Sequence, residues 1–472
     1  MRYIYPMALA LLFNSCGSDT TTTTEQSVTN YSNEVPCQNF FTTNSYEPYT
    51  CGYMNAIENR DTFGGKSIKI AYVKINSKNE ESTEAPVVYF EGGPGGGAIE
   101  NINRWINSPI LDEHDIILMD QRGTGFSSPR LTCPSSSNLN ISGEREQRKA
   151  RLLECRDSIA ASGFVSSQYN TTNIAKDAEA LRGHLGITQW FVYGISYGTA
   201  VAQEYMRQYP SATKAVIIDG VTSLTSGWYS ETISDHAKAF NNIFAQCSRT
   251  RECGVAYPDL KRRFLETIKR YNDTPASFTS EGVTYTYSGR DIDYALFSLM
   301  YSTELIPAVP KLIDDLYSDR REEFESLISR VYSGLSTFAD GMHYSVVCHD
   351  FGNLELLGTA LSNHVAYPEY QALGLLETSY GTIDACKEWD IDKADPTFNQ
   401  NVVSDIPTLL LSGELDPIAP PANADSAKTN LSNSRHYVVT AAGHGASLEP
   451  CGQEILLNFL NNQGREPDNS CL

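Results

Sequence analysis

Basic residues are scarce in this chain of 472 residues. Lys and Arg together number 36, against 57 Asp and Glu, so the formal charge at pH 7 is −21. Binding of DNA or RNA depends on a basic surface, and this balance therefore argues against a nucleic-acid partner. An acidic surface keeps a folded protein soluble, and it can also attract a cationic group of a substrate, such as a free amine.

Long apolar runs are also missing. The apolar stretch at residues 7–13, which follows the single positive charge of Arg2, is too short to span a bilayer as a permanent helix. This pattern is typical of an export signal, which we place at residues 1–15. The residues up to Cys16 resemble a bacterial lipoprotein cleavage box, so we expect a lipidated protein attached to a membrane in the periplasm or at the cell surface, with simple secretion as the alternative. Residues 16–34 are rich in Ser and Thr and should form a disordered tether.

No group of Cys and His residues has the spacing of a zinc site, so the sequence predicts neither a metal nor a cofactor. There are eleven cysteines, and ten remain when Cys16 is set aside for lipid. An even number in an exported protein predicts disulfides, although ten cysteines allow roughly 945 pairings (9 × 105). Because the cysteines occur in consecutive couples, we favour the local pairing Cys37–Cys51, Cys133–Cys155, Cys247–Cys253, Cys348–Cys386 and Cys451–Cys471.

Short apolar segments alternate with helical patterns along much of the chain. The segments predicted as strands are residues 67–75, 86–90, 115–119, 190–193, 215–219, 407–411 and 435–439. Residues 173–185 carry apolar side chains at spacings of four, three and four, which predicts an amphipathic helix. Short strands that are apolar on both faces indicate a mostly parallel sheet covered by helices on two sides. Residues 36–60, in contrast, read as an irregular lead-in.

The predicted sheet is interrupted between Asp219 and Pro407. This stretch is rich in tyrosine, mostly helical by pattern, and without comparable buried strands. We interpret it as a cap over the carboxyl edge of the sheet, where open α/β sheets bind their ligands. The chain then divides into a first core segment at residues 35–221, a largely helical cap at residues 222–400 and a second core segment at residues 401–472.

One stretch of five residues, Gly194 to Gly198, has the form Gly-x-Ser-x-Gly. It follows a predicted strand and precedes a helical pattern, which is the setting of a nucleophile elbow. In such a turn the hydroxyl of Ser196 stands exposed above the sheet, at the positive end of the following helix. The pattern alone is weak, so its interpretation depends on whether the chain supplies a base, an acid and an oxyanion site.

Histidine is scarce as well, with only eight in the chain. Elbow hydrolases carry their triad in the order Ser, acid, His, and the histidine follows the last strand. His444 is the histidine in that position, so we predict it as the base. The loop after residues 407–411 offers two acids, and we choose Asp416 over Glu414 because Pro417 shapes the loop just beyond it.

A glycine-rich turn at residues 91–97 directly follows the predicted strand at residues 86–90. It lacks the Gly-Lys-Ser/Thr ending of a phosphate-binding loop. Acyl transfer needs two N–H donors for the developing oxyanion. We predict the backbone N–H groups of Gly93 and Tyr197 as these donors.

Several motifs together resemble the prolyl iminopeptidase and tripeptidyl aminopeptidase group of α/β-hydrolases. They occur in order as Glu91-Gly-Gly-Pro-Gly, Asp120-Gln-Arg-Gly-Thr-Gly-Phe-Ser127, Gly194-Ile-Ser-Tyr-Gly198, Gly413-Glu-Leu-Asp-Pro417 and Gly443-His444. The resemblance implies an α/β-hydrolase fold, and it implies that residues 120–127 form a structural ion pair and turn beneath the site. It also implies hydrolysis of a peptide bond near a free amino terminus through an acyl-enzyme. Cys348-His-Asp350 and Cys386-Lys-Glu-Trp389 resemble the exported, tripeptidyl-aminopeptidase-like branch.

The chain departs from prolyl iminopeptidases at Glu91, where those enzymes usually have His. This weakens a strict preference for amino-terminal proline. The resemblance further implies that carboxylates of the cap hold the substrate's α-ammonium group. Glu231, Asp235 and Asp350 are the candidates, although each has an alternative as an ordinary surface or structural acid.

We therefore expect an exported serine aminopeptidase that acts on short peptides with a free amino terminus. It would release prolyl, aminoacyl or tripeptidyl units. One alternative is an esterase or lipase-like enzyme, because the same triad serves acyl esters and the cap sets the substrate. A non-enzymatic binding protein on a hydrolase fold is a further alternative, against which the intact Ser196, Asp416 and His444 argue.

Overall fold

The computed structural model describes residues 33–41, 49–62, 64–134, 145–280, 282–334, 338–389, 391–462 and 464–472. The expected export signal and Cys16 lie outside these ranges. So does the expected tether, except for its last two residues, Asn33–Glu34, which form a short strand. None of the helices within the described ranges combines the length and apolar character that a bilayer span requires.

Nine strands of the described residues form one sheet, in the spatial order β1-β2-β3-β5-β4-β6-β7-β10-β11. Its strands are β1 (Asn33–Glu34), β2 (Tyr49–Ile57), β3 (Ser67–Ile75), β4 (Val87–Phe90), β5 (Ile116–Met119), β6 (Trp190–Ile195), β7 (Thr213–Asp219), β10 (Thr408–Gly413) and β11 (Ser434–Val439). The pairs from β5 through β11 are parallel, and the pairs at the β1 edge are antiparallel. The predicted mostly parallel sheet is confirmed, and every predicted strand is present within one or two residues.

The prediction of an irregular lead-in was wrong for β2. Tyr49–Ile57 pairs along its whole length with β3, from Tyr49 opposite Ile75 to Ile57 opposite Ser67. Gly52 and Asn55 are poor strand formers, and the long pairing with β3 overrides their local preference.

Helices cover both faces of the sheet and fill the insertion. They are α1 (Arg145–Ala161), α2 (Thr171–His184), α3 (Tyr197–Gln208), α4 (Thr232–Arg249), α5 (Arg251–Ala256), α6 (Leu260–Asp273), α7 (Gly289–Leu299), α8 (Val309–Tyr317), α9 (Glu322–Gly334), α10 (Asp340–Val346), α11 (Leu357–Ala366), α12 (Leu375–Glu388), α13 (Pro421–Lys428) and α14 (Pro450–Asn461). The predicted amphipathic helix at residues 173–185 is α2. It begins after Asn170, whose side chain accepts a hydrogen bond from the Asn173 N–H.

Helices α4 to α12 lie between β7 and β10, together with one hairpin, β8 (Ala276–Ser280) and β9 (Val283–Tyr287). Side chains of α4, α6, α7 and α8 form a hydrophobic core of their own. The segment around α10 and the end of α12 packs instead into the core beneath the main sheet, through residues such as Met342 and Trp389. The insertion is therefore anchored to the sheet at its later end.

All five favoured disulfides are present in the structure. Two of them involve helices. Cys133–Cys155 links α1 to the segment that precedes it in the chain, and Cys348–Cys386 links the segment after α10 to α12. Cross-links of this kind stabilise a fold mainly by restricting the unfolded chain.

The stretch at residues 120–127 contains the ion pair that the resemblance implied. The Arg122 guanidinium binds Asp177 through two contacts, Nε to Oδ2 at 2.7 Å and Nη2 to Oδ1 at 2.9 Å, with both side chains fully buried. Nη1 of Arg122 donates to the carbonyls of Glu58 and Gln168. The Asp120 carboxylate accepts hydrogen bonds from the N–H groups of Ile99 and Phe126. Burial raises the pKa of Asp120 to about 7.

Candidate active site

Ser196 lies in a strained turn between β6 and α3. Its backbone has φ of 58° and ψ of −129°, a conformation that side-chain-bearing residues rarely adopt. The turn is held by the Ser196 N–H, which donates to the Asp219 carbonyl at 2.9 Å. A side chain on Gly194 would overlap the carbonyl of Gly198, and one on Gly198 would overlap the carbonyl of Phe90. The two glycines are therefore required by packing.

Helix α3 begins at Tyr197, directly after the serine. The first N–H groups of a helix have no acceptor inside the helix, and they carry the positive end of its dipole. The Ser196 hydroxyl thus sits at an end of a helix that favours negative charge.

His444 and Asp416 are in direct contact. Nδ1 of His444 lies 2.7 Å from Oδ2 of Asp416, and Oδ1 of Asp416 accepts the N–H groups of Ile418 and Ala419. Burial alone would lower the pKa of His444, but the Asp416 carboxylate outweighs it and the pKa is raised above 6.5. Nε2 of His444 is buried without a hydrogen-bond partner in the described part of the chain. This nitrogen is the one left to act on a further group.

Glu414, the alternative acid, points elsewhere. Its Oε2 accepts a hydrogen bond from the Ala441 N–H at 2.9 Å, at an exposed position. The structure therefore brings Asp416, and not Glu414, to His444.

The sequence reasoning did not single out Asp219 as a site residue. Its carboxyl is buried against the loop that follows His444. It accepts the N–H groups of Ala446 at 3.0 Å and Ser447 at 2.7 Å, and also the Ser447 hydroxyl. Burial raises its pKa to about 6. Because its own carbonyl holds the Ser196 N–H, one residue anchors both the elbow and the loop that carries His444. In the sequence, the position of Asp219 at the end of a predicted strand was the feature that could have pointed to it.

The glycine-rich loop after β4 packs against the serine. A Cβ on Gly92 would lie 2.9 Å from the Ser196 Cβ and 3.4 Å from its Oγ. The Gly92 N–H is already occupied, because it donates to Oε1 of Glu91 at 3.0 Å. The Gly93 N–H has no acceptor within the described residues, and its φ of 121° suits glycine alone. The Gly93 N–H is therefore a free donor in this turn, whereas those of Gly92 and Gly96 are occupied.

Residues of the insertion form hydrogen bonds with the glycine-rich loop. The Ala339 N–H donates to the Gly95 carbonyl at 3.0 Å, and Nδ1 of His343 lies 3.3 Å from the Pro94 carbonyl. Burial lowers the pKa of His343 to about 4, so the ring is neutral near pH 7. Nδ1 must then donate to the carbonyl, which leaves Nε2 to accept from the Tyr229 hydroxyl at 2.9 Å. Sequence reasoning missed His343, which shows no local motif.

The three candidate amine ligands are in two different settings. Glu231 and Asp235 are half-buried neighbours at the start of α4, and Glu231 accepts a hydrogen bond from Asn363 at 3.0 Å. Burial raises the pKa of Asp235 to about 6. Asp350 is fully buried. Its Oδ2 accepts hydrogen bonds from the N–H and the hydroxyl of Thr171, and its Oδ1 lies 2.6 Å from Nδ1 of His349. These contacts argue against Asp350 as an amine ligand.

Two family models match the chain, and both matches extend into the insertion. The model described as "alpha/beta hydrolase fold" matches residues 85–260, which include Ser196. The model described as "TAP-like protein" matches residues 376–471, which include Asp416 and His444. The chain is an α/β-hydrolase. The resemblance that the sequence motifs indicated is confirmed, and so is the predicted fold class.

Curated relatives of this hydrolase are similar at low identity. It is 27% identical to the putative hydrolase YuaR of Escherichia coli (strain K12) over 244 residues, which are 47% of this chain and 47% of that protein. It is 25% identical to the tripeptidyl aminopeptidase of Streptomyces lividans over 202 residues, 39% of this chain and 37% of the relative. A probable proline iminopeptidase of Streptomyces coelicolor is 24% identical over 305 residues, 60% of this chain and 79% of the relative. The hydrolase thus spans about half the length, or less, of the first two relatives.

Proposed function

We propose that this hydrolase is an exported serine aminopeptidase that releases prolyl, aminoacyl or tripeptidyl units from the free amino terminus of short peptides. The observation that carries the proposal is the contact of 2.7 Å between Nδ1 of His444 and Oδ2 of Asp416, in a fold where Ser196 occupies a strained elbow. Relatives named for aminopeptidase activity support the choice of peptide bonds.

In this proposal Ser196 attacks the carbonyl carbon of the scissile bond, and Nε2 of His444 takes the proton from its hydroxyl. The Asp416 carboxylate keeps the other ring proton on Nδ1, and it stabilises the imidazolium that forms. His444 then passes its proton to the departing amine, which leaves an acyl-enzyme on Ser196. A water molecule, deprotonated by the same histidine, releases the acyl group.

The negative charge of the tetrahedral intermediate would be held by the N–H groups of Gly93 and Tyr197. The occupied Gly92 N–H supports the choice of Gly93, and the position of Tyr197 as first residue of α3 supports the second donor. Fixed donors of this type need no reorganisation when the charge develops.

Glu231 and Asp235 would bind the α-ammonium group of the substrate. Two neighbouring half-buried carboxyls form a site of negative charge in a partly desolvated setting, and a cation bound there would lower the raised pKa of Asp235 and so favour its ionised form. Binding of the amine by the cap would then determine how many residues lie between the amino terminus and Ser196.

Export is supported by the five disulfides, since such cross-links persist in oxidising compartments. Lipid attachment at Cys16 would place the hydrolase at a membrane, in the periplasm or on the cell surface. Metabolic labelling with a fatty-acid analogue tests this, with Cys16→Ala as the control. Label retained by that variant would rule out Cys16 as the anchor.

A panel of chromogenic substrates tests the proposed activity. It comprises alanyl and prolyl nitroanilides, a tripeptidyl nitroanilide, the same compounds with acetylated amino termini, and a short acyl ester. We expect the free amines to turn over and the acetylated compounds to lose most of their rate, because Glu231 and Asp235 then have no cation to bind.

Two outcomes would contradict the proposal. Equal rates for free and acetylated peptides would remove the aminopeptidase assignment, and turnover of the ester alone would favour an esterase. Ser196→Ala should abolish every activity while keeping the thermal unfolding temperature of the wild type.

A further inference from the structure

Arg148 on α1 is a buried cation without an anion. Its side chain donates from Nε to the Thr382 hydroxyl at 2.6 Å and from Nη2 to the Tyr344 hydroxyl at 3.3 Å. The guanidinium carbon lies 5.7 Å from the ring centre of Tyr229. Arg148 is only 3% exposed, and no carboxylate forms an ion pair with it among the described residues.

This setting differs from that of the other deeply buried arginine, Arg122, which has Asp177 as its partner. An arginine cannot shed its charge in a protein, and a buried charge is costly unless an opposite charge compensates it. Neutral hydroxyls and one aromatic ring supply only part of that compensation. The side-chain partners of Arg148 among the described residues, Thr382, Tyr344 and Tyr229, are all uncharged. A carboxylate is therefore the partner that this guanidinium lacks.

A series of contacts between aromatic side chains leads from Arg148 to the residues around Ser196. The Tyr229 hydroxyl, next to Arg148, donates to His343, and His343 donates in turn to the Pro94 carbonyl in the glycine-rich loop. The Trp228 ring lies 6.0 Å from that of His343 and 6.3 Å from that of Tyr197, the residue after the nucleophile. Arg148 therefore belongs to the surroundings of the active site.

We propose that Arg148 binds a carboxylate of the substrate. This rests on the proposed aminopeptidase function and specifies its substrate class: short peptides with an anionic group held away from the scissile bond. A guanidinium matches a carboxylate with two parallel hydrogen bonds, which gives orientation as well as attraction. The carboxylate is the free carboxyl terminus of the peptide or an acidic side chain, and the arms of the experiment separate these two sources.

Wild-type hydrolase is tested first with matched peptides. Tri- and tetra-alanine are compared with their carboxyl-terminal amides, and alanyl peptide amides ending in Glu are compared with those ending in Gln. A charge-assisted hydrogen bond predicts that the preferred carboxylate raises kcat/KM by about 10- to 100-fold, mainly through KM. Preference for the free acids identifies the carboxyl terminus, and preference for Glu over Gln identifies the side chain. Equal kcat/KM within both pairs would overturn the inference.

Variants then assign the preference to Arg148. Arg148→Met should reduce the acid-to-amide ratio to about one, whereas Arg148→Lys should keep part of it because the charge remains. Arg145→Met is the matched control on the same helix, since Arg145 pairs with Asp384 at the surface. The control should leave the ratio unchanged. A ratio retained in Arg148→Met, with its unfolding temperature close to wild type, would contradict the role of Arg148.

Binding to the inactive Ser196→Ala protein separates this inference from the proposed function. Calorimetry with tri-alanine and with tri-alanine amide needs no turnover. Tighter binding of the acid, lost in Ser196→Ala combined with Arg148→Met, supports the carboxylate site even if no peptide is hydrolysed. Equal affinity for the two ligands, or no binding of either, would overturn it even if the peptidase activity is established.

Discussion

Nδ1 of His444 lies 2.7 Å from Oδ2 of Asp416, while the carboxylate of Glu414, two residues earlier, accepts the Ala441 N–H. Two acids in one loop thus have separate roles, one at the imidazole and one at the backbone. Only Asp416 can hold the tautomer of His444 that leaves Nε2 free to accept a proton.

Substitution of the two acids should therefore have very different effects. We expect Asp416→Asn to lower kcat by about 10⁴-fold, since the amide stabilises the wrong tautomer of the histidine. Glu414→Gln should keep kcat within about tenfold, because an amide oxygen can still accept the Ala441 N–H. Steady-state kinetics on the best substrate of the panel measures both. A larger loss in Glu414→Gln would reverse the assignment.

Gly92→Ala should damage catalysis through contact with Ser196, the proposed nucleophile. The added Cβ would lie 2.9 Å from the Ser196 Cβ, so the serine or the glycine-rich loop must move. A displacement of this kind costs about 100-fold in kcat. Gly183→Ala in α2 is the control, as no atom lies within 4 Å of its added Cβ. It should keep kcat and raise the free energy of unfolding by up to about 1 kcal/mol. Unchanged kcat in Gly92→Ala would contradict the packing argument.

The pH dependence of kcat/KM should follow His444. Only the neutral imidazole can accept the serine proton, so kcat/KM rises with pH through its pKa. The Asp416 charge outweighs burial and raises that pKa, and Asp219 and Glu91 raise it further, so the midpoint lies above 6.5. Glu91→Gln removes one negative charge and should move the midpoint to lower pH. Glu100→Gln serves as the control for the same charge change, and an unmoved midpoint in Glu91→Gln would exclude the effect of Glu91.

Arg122→Met should destabilise the fold without touching the chemistry directly. It leaves Asp177 buried with the guanidinium of Arg60 as its remaining cation. Loss of one partner from a buried pair costs about 3–5 kcal/mol. Arg435→Met is the comparison, because its pair with Glu466 is exposed and should contribute less than about 1 kcal/mol. Urea unfolding measures both, and similar midpoints for the two variants would contradict the prediction.

Much of the candidate active site could be predicted because each part has a local signature. Ser196 needs two glycines at fixed offsets, and its strand and helix show clear patterns. His444 and Asp416 follow apolar strands whose order in the chain limits the choice. The strands themselves are apolar on both faces, so their ends were placed within one or two residues.

The missed features depend on contacts between distant parts of the chain. Strand β2 is formed by its partner β3, and its own composition does not favour a strand. Arg148 is buried against Thr382 and Tyr344, which lie some two hundred positions away in the chain. The sequence around an arginine in a helix does not indicate that its side chain will be buried without a carboxylate partner. His343 and Asp219 likewise act through loops that meet only in the folded protein.

The bonds from Ala339 and His343 to the glycine-rich loop have a consequence for protein engineering. A chimera that exchanges the cap for that of a relative would also replace the groups that position the loop carrying Gly93, the proposed oxyanion donor. Its turnover number would change together with its substrate range. Redesign of selectivity in this hydrolase should therefore retain α10 and graft only the helices that precede it.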